Sequence, residues 1–336
     1  MDSVTERKFD DLKNMIGNTP MLEISFTYKN EPRKIYVKAE YFSLTGSIKD
    51  RVAYYIMRKS YENGLIHNGD IVAEATSGNT GISFSAISRY LGHKAVIFMP
   101  DWMSAERVNL MKSFGAEVRP VSRSEGGFLG SIDLCRKLAE NGGVFLPEQF
   151  TNEYNCEAHF YGTGEEISRQ LAAIGLTADA VVAGVGTGGT VMGIGERLRK
   201  DNPNVQIYPL EPLNSPTLST GYKVGNHRIQ GISDEFIPDI LKLDRCGEVV
   251  SVDDIDSVIM AQRLSNELGL GVGISSGANF LGSVIAGNRL GSDAVITTVF
   301  ADDNKKYLST DYSSTFTPAE GSISSEIKLL GYKAMR

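Results

Sequence analysis

The sequence predicts an α/β protein of two doubly wound lobes with mostly parallel sheets. Three observations carry that expectation. Short apolar strands, such as Asp70-Ile71-Val72-Ala73-Glu74-Ala75 and Asp179-Ala180-Val181-Val182-Ala183, alternate with helix-forming stretches of about 10–15 residues, the pattern of βαβ units. Glycine-rich turns follow several of these strands, and in parallel sheets ligands bind outside the carboxyl ends of the strands. The chain has 336 residues, enough for about two domains of roughly 150 residues each.

Taken in order, residues 1–13 are polar and expected to pack peripherally. Ile16 to Leu22 reads as a turn entering a strand, and Lys34 to Glu40 alternates as a half-buried strand should. The turn Gly46-Ser47-Ile48-Lys49-Asp50-Arg51 then delivers a lysine to a helix running to about Asn63. The strand at Asp70–Ala75 is broken by Thr76-Ser77-Gly78-Asn79-Thr80-Gly81, and a helix continues to Leu91. Lys94 to Pro100 is a strand ended by its proline. A helix opened by Ser104 stops at Phe114-Gly115-Ala116, where glycine suits a C-terminus. Strand, helix and strand follow through Leu146. A second series holds a helix at 162–174, the strand into Gly184–Thr190, the strand Gln206–Glu211 and an irregular stretch at 212–245. It closes with a helix at 254–268, another opened by Gly273–Asn279, and the strand Ala294–Phe300. The expected division is an N-terminal lobe over 1–150, a C-terminal lobe over 151–312, and a tail at 313–336 that is loosely attached and ends in a short helix.

Composition narrows the function. Net charge is −7 and the pI near 5.3, without the clustered Lys and Arg that neutralise phosphates, so a nucleic-acid partner is not expected. No apolar run reaches the ~18 residues of a membrane span, and the start, Met1 to Lys8, lacks the apolar core of a signal peptide. The expectation is a cytoplasmic protein without a membrane partner. Cys135, Cys156 and Cys246 are odd in number and widely spaced, and His67, His93, His159 and His227 are scattered, so neither a disulfide framework nor a metal site is expected. Glycine, at 35 residues, is abundant, and glycine turns are where backbone approaches ligands.

Three turns carry chemistry. Gly184-Val185-Gly186-Thr187-Gly188-Gly189 satisfies G-x-G-x-x-G between strand and helix, with Glu211 at the end of the next strand, as in a dinucleotide site. Its backbone amides at a positive helix end, with the Thr187 and Thr190 hydroxyls, suit a terminal phosphate as well, and a tight turn without ligand is a third reading. Thr76 to Gly81 puts five polar or glycine positions in six at a helix start. That exceeds what capping needs and suits a substrate carboxylate held by neutral donors. Gly273 to Asn279 reads, alone, as a cap. A lysine such as Lys49 at a turn is usually solvated, although a lysine can bond covalently to an aldehyde.

Together, Gly17-Asn18-Thr19-Pro20, Ser47-Ile48-Lys49-Asp50-Arg51, Thr76–Gly81, Gly184–Thr190, Gln230-Gly231-Ile232 and Gly273–Gly277 closely resemble the cysteine synthase and cystathionine β-synthase family, in order over about residues 12–312. The resemblance implies fold type II, the architecture of the tryptophan synthase β chain, with pyridoxal phosphate as cofactor and amino acids as substrates. It implies that Lys49 bonds to the cofactor aldehyde, that Gly186, Thr187, Gly188, Gly189 and Thr190 cradle its phosphate, and that Asn79 meets the ring 3-oxygen. Ser275 would face the pyridine nitrogen. The loop Thr76, Ser77, Gly78 and Thr80, with Gln149, would hold the substrate carboxylate, and Gly231 would lie near the substrate amine. It further implies a homodimer in which 46–150 forms a mobile smaller part while 14–40 packs on the other lobe. The implied reaction is β-replacement on a serine- or cysteine-type amino acid through an aminoacrylate, most simply cysteine synthesis from O-acetylserine or O-phosphoserine with sulfide.

Two segments depart from the family pattern. Gln230-Gly231-Ile232-Ser233-Asp234-Glu235-Phe236 has two acids where small residues are usual. Asp234 either solvates the loop or faces the β-carbon, where it would repel anionic nucleophiles or act as base for a neutral one such as water, a thiol or an amine. With water, that nucleophile would turn cysteine into serine and sulfide; cystathionine or another β-substituted alanine is a further product class. Asp303-Asn304-Lys305 replaces Ser-Gly-Glu near the end, and phosphoserine would need an added cation, for which Arg123, Lys223, Arg228 and Lys305 are the candidates. An NAD-binding oxidoreductase built on Gly184–Gly189 and Glu211, and a non-catalytic binding protein, are the alternatives of a different class.

Overall fold

A computed structural model of the chain describes residues 1–233 and 235–336. Strands β1 (Met21–Tyr28) and β2 (Glu31–Ala39) form a hairpin. Lys29 and Asn30 between them have φ of +50° and +66°, the left-handed pair that a two-residue hairpin turn requires and that asparagine tolerates. The chain then builds a parallel sheet, ordered β5-β4-β3-β6, from β3 (Ile71–Ala75), β4 (Ala95–Pro100), β5 (Glu117–Val121) and β6 (Val144–Phe145). It returns to the hairpin through β7 (Ala180–Gly184), β8 (Gln206–Pro212), β9 (Val250–Val252), β10 (Ile296–Phe300) and β11 (Ile327–Met335). These complete a seven-stranded sheet ordered β11-β1-β2-β10-β7-β8-β9, in which β1 runs antiparallel to both its neighbours and β10 runs parallel to β2 and β7.

Helices α1 (Ser3–Met15), α2 (Lys49–Glu62), α3 (Asn79–Leu91), α4 (Ala105–Ser113) and α5 (Gly127–Ala139) surround the smaller sheet. Around the larger one lie α6 (Tyr154–Ala158), α7 (Glu165–Ala172), α8 (Gly189–Leu198), α9 (Thr217–Thr220), α10 (Asp254–Leu268) and α11 (Ile274–Leu290). Alternation along β7 shows why both faces need cover. Ala180 and Val182 join one buried cluster with Leu210, Phe280 and Leu281, whereas Val181 and Ala183 join another with Ile167, Val191 and Ile194.

Three local expectations change. The polar start is the amphipathic helix α1, which buries Phe9 and Leu12 against Ile56 and Phe84. The helix expected at 162–174 begins at Tyr154 and passes through a π-helical turn at His159–Gly164. The tail at 313–336 ends in a strand rather than a short helix. Ile327 and Leu329 alternate with exposed residues, and pairing with the edge of β1 (Tyr28 with Ile327, Met21 with Met335) outweighs local helical preference.

The two sheets are tied by a buried ion cluster. Arg51, in the first turn of α2, donates from Nε to Glu40 at 2.6 Å and from Nη1 and Nη2 to Glu166 of α7 at 2.8 Å each. Lys38 of β2 sits 2.7 Å from the same Glu166 carboxylate. Burial alone would raise the Glu166 carboxyl, but the hydrogen bonds and charges of Arg51 and Lys38 outweigh it and hold the group at about 2, against an ordinary 4.5. A carboxyl lowered on folding stabilises fully above its unfolded value and loses that contribution as pH falls from about 4.5 through about 2. Glu166→Gln should therefore lower unfolding free energy at neutral pH by about 3–5 kcal/mol, because it leaves buried cations underpaired. In urea titrations the variant should also lose the steepest part of the wild-type dependence between pH 4.5 and 2.

Candidate active site

The carboxyl ends of β3, β7 and β10 open onto one cleft, and four helix N-termini point into it. Lys49 is the first residue of α2, Asn79 the first of α3, Gly189 the first of α8 and Ser275 the second of α11. One cavity is lined by Lys49, Asn79, Gly186, Thr187, Gly188 and Thr190, and closed by Gly231 and Ser275. An adjoining cavity shares Lys49, Asn79, Gly186, Thr187 and Gly231, and adds Thr76, Ser77, Thr80 and Gln149. Gly78 forms the turn beneath this second wall, its amide donating to Thr76 Oγ1 at 3.0 Å. Gly189 lies at the base of the loop before α8. Asp234 lies outside the described residues. Its neighbour Glu235 is half-buried, 3.8 Å from Lys223.

Lys49 is placed by the residues beside it. Asp50 accepts from Thr45 N at 2.8 Å and from Ser83 Oγ at 2.7 Å, while Arg51 reaches the opposite way into the ion cluster. Ile48 N bonds Ala301 O at 2.8 Å, which stitches the turn to the end of β10. The loop at 76–81 is held as firmly. Thr80 Oγ1 donates to Gln149 Oε1 at 2.6 Å, and Gln149 Nε2 donates to Ala75 O at 2.9 Å.

The loop at 184–190 depends on bare backbone. A Cβ on Gly186 would meet Gly231 O at 2.4 Å, and one on Gly189 would meet Asn155 Oδ1 at 2.1 Å. Asn155 explains the second approach: its Nδ2 donates to Thr187 Oγ1 at 2.9 Å and to Gln149 O at 2.8 Å, joining the two walls. His159 Nε2 lies 3.2 Å from Thr190 Oγ1, and Nδ1 2.9 Å from Thr163 Oγ1. Burial, then the charges of Lys49 and Arg51, push His159 well below its usual value, so it is a neutral imidazole.

The family model for pyridoxal-phosphate dependent enzymes matches residues 12–302. The chain belongs to that family. A probable cysteine synthase of Bacillus subtilis is 40% identical over 299 residues, covering 89% of this chain and 96% of that protein. The crystal structure of a hydrogen sulfide-producing enzyme from Fusobacterium nucleatum matches with a TM-score of 0.96 at 56% identity, over 98% of this chain and 99% of that one. An Asp-to-Asn mutant of that enzyme, solved with an α-aminoacrylate intermediate, matches with a TM-score of 0.95 at 57% identity, over 96% of this chain and 97% of that one. The fold type II architecture and the dependence on pyridoxal phosphate follow for this chain.

The residues present fit that cofactor. No carboxylate is among the described residues lining the first cavity, and Lys49 is its one cation. Amides at the N-terminus of α8 and the threonine hydroxyls suit a phosphate. Asn79 donates one Nδ2 proton to Asp302 Oδ2 at 2.7 Å, while its Oδ1 is buried without a partner. The dinucleotide reading meets an obstacle in Glu211. That carboxylate is buried and committed to Leu218 N at 2.7 Å, to Ser219 and to Ser251 Oγ at 3.3 Å, so it is turned to α9 rather than to a ribose.

Several site residues carry no sequence signal. Asn155, His159 and Asp302 act through Thr187, Thr190 and Asn79. Arg107 of α4 lines the substrate-side cavity, donates to Ser77 O at 3.1 Å and to Gln230 Oε1, and lies 4.8 Å from the Tyr307 ring centroid. None of the four expected phosphoserine cations lines either cavity: Arg123 stacks on Trp102, Lys223 meets Glu235, Arg228 pairs with Asp254 and Asp311, and Lys305 lies beyond the walls. Asn155→Ala should remove a buried donor from both walls at a cost of about 1–3 kcal/mol. Dialysis of the holoenzyme should then release the cofactor roughly tenfold more readily than from wild type, read from its visible absorbance.

Proposed function

We propose that this enzyme exchanges the β-substituent of a serine- or cysteine-type amino acid, with sulfide as the group that enters or leaves. One observation carries the reading: Lys49 is the shared wall of two adjoining cavities, one suited to the cofactor and the other lined by hydroxyl and amide donors together with Arg107, suited to a carboxylate. When bound, pyridoxal phosphate supplies an aldehyde for the amino nitrogen and a ring that takes up electrons from the Cα–H bond. The chain supplies the rest. Gly186 to Thr190 hold the phosphate, and Asn79 offers its second Nδ2 proton to the ring oxygen. Ser77, Thr80 and Gln149 orient the carboxylate, with Gly231 beside the amine. Lys49 Nζ would hold the cofactor through its aldehyde and would serve as general base for the Cα proton of the substrate. Ser275 offers the pyridine nitrogen a hydroxyl rather than a carboxyl. With the cofactor bound, that hydroxyl would not protonate the ring nitrogen as a carboxyl would, which would favour loss of the β-substituent over racemisation. Closure of the loop at 76–81 excludes water, and Arg107, which spans from Ser77 to Gln230, is placed to hold the closed form.

Cysteine synthesis is the direction supported by the 40% relative. Sulfide release from cysteine is favoured by the 56% relative and by the acids of the 230–236 segment, where Asp234 would serve as base for water. A homodimer in the cytoplasm is the setting implied by the family resemblance.

Lys49→Ala should abolish the absorbance at about 410–420 nm of lysine-held cofactor and lower turnover by about a thousandfold or more. Ser77→Ala should raise KM for the amino acid about tenfold with a smaller change in kcat. Wild-type enzyme given cysteine, and separately O-acetylserine with sulfide, should form serine plus sulfide in one case or cysteine in the other. Absence of both products, or a Lys49→Ala variant with full activity, refutes the reading. Asp234→Asn should depress the water-dependent product selectively; equal rates for all products would remove Asp234 from the chemistry.

A further inference from the structure

A separate cavity of about 370 Å³ adjoins the substrate side, with Phe150 bordering both. Its volume is within the range of small-ligand pockets. β3 and α5 form its floor, the segment from Leu146 to Thr151 one side, and Phe236 with Asp239 the other, so it bridges elements of both sheets. Phe150 and Phe236 meet edge to face across it with centroids 5.1 Å apart.

Glu74 makes this cavity chemically specific. It occupies a β3 position between Ala73 and Ala75, is 4% exposed, and lines the cavity. Its Oε1 accepts from Ala75 N at 3.1 Å, while Oε2 has no hydrogen-bond partner. The amides of Glu148 and Gln149 lie near enough to favour the carboxylate electrostatically, but they do not bond Oε2. Burial dominates and raises the carboxyl to about 8. Among the described residues, the charged and titratable groups facing it are Asp133, Cys135 and Arg136 of α5, Glu148, and Asp239. Arg136 is turned to Glu148, Nε to Oε1 3.6 Å, and burial pushes the Cys135 thiol up, which keeps it neutral. Carboxyls thus outnumber cations, and a buried carboxyl lacks the partner that burial demands.

The geometry points to a binding site for a small organic ammonium ion with an apolar body, its nitrogen paired with the Glu74 carboxyl and its body against Leu129, Ile132 and Phe236. An occupant there touches Glu148, whose backbone is left-handed at φ +50°. It sits one residue from Gln149, the partner of Thr80 in the substrate wall.

The test uses holoenzyme and N,N-dimethylphenethylammonium, a tertiary amine that cannot condense with the cofactor aldehyde. Calorimetry near pH 7, in two buffers of different ionisation enthalpy, should show saturable one-to-one binding. Release of about one proton should accompany it as Glu74 ionises. The uncharged 2-phenylethanol should bind at least tenfold more weakly. Glu74→Gln should weaken the amine at least tenfold and abolish proton release. Leu129→Trp, at a position 48% exposed, should fill the cavity and weaken it equally, which keeps the test available should Glu74→Gln not fold. Ser77→Ala should bind the amine as wild type does. Undetectable binding to wild type, unchanged binding in the folded Glu74 and Leu129 variants, or loss of binding in Ser77→Ala overturns the proposal.

Discussion

Arg51 is gripped by two carboxylates from separate elements, Glu40 just past β2 and Glu166 on α7, and the position of α2 depends on that grip. Consecutive helical residues diverge by about 100°, so the first three residues of α2 face three directions. Arg51 reaches the larger sheet, Asp50 is fastened to Thr45 and Ser83 inside the smaller unit, and Lys49 is left facing the cleft. A long flexible amine is thereby delivered to one place with little conformational choice. The cost of burying four charges is met by geometry: Glu166 serves both cations, and Thr19 adds a donor to Glu40 at 2.7 Å.

With that frame set, the cleft works by orientation more than by charge. Four helix N-termini converge on it, each contributing a few tenths to one kcal/mol toward an anion. Apart from Lys49 and Arg107, the described side chains that complete the walls are neutral, and several are held by second partners: Thr80 by Gln149, Thr187 by Asn155, Thr190 by His159. Such donors suit phosphate and carboxylate without adding a carboxylate beside Lys49.

What could be read in the sequence was what is local. The Thr76–Gly81 loop and Gly184–Thr190 form contiguous patterns, whereas Lys49 and Ser275, read alone as a solvated lysine and a helix cap, gained their roles only from the combined resemblance. Asn155, His159, Arg107 and Asp302 could not be found that way, because each acts on a partner distant in sequence and no spacing rule links Asn79 to Asp302 or Arg107 to Gln230. The mistaken ending shows the same limit. Ile327-Lys328-Leu329-Leu330 leans locally toward helix, and it is a strand because β1 offers an edge for it to pair with. The Gly-x-Gly-x-x-Gly turn was legible as an anion site but not as to which anion; the turning of Glu211 toward α9 is a tertiary fact.

The order of strands in the larger sheet also sets a schedule for assembly. The smaller sheet is made from one contiguous stretch and can form while synthesis continues. The hairpin of β1 and β2 leaves the ribosome before it, yet Tyr36 pairs with Thr297 and Tyr28 with Ile327, near the other end of the chain. Closing so long a loop is entropically unfavourable and slow. For most of translation, then, the earliest strand pair carries two open edges ready to join any passing strand. Residues 21–39 are therefore the stretch of the chain that waits longest for its native neighbours.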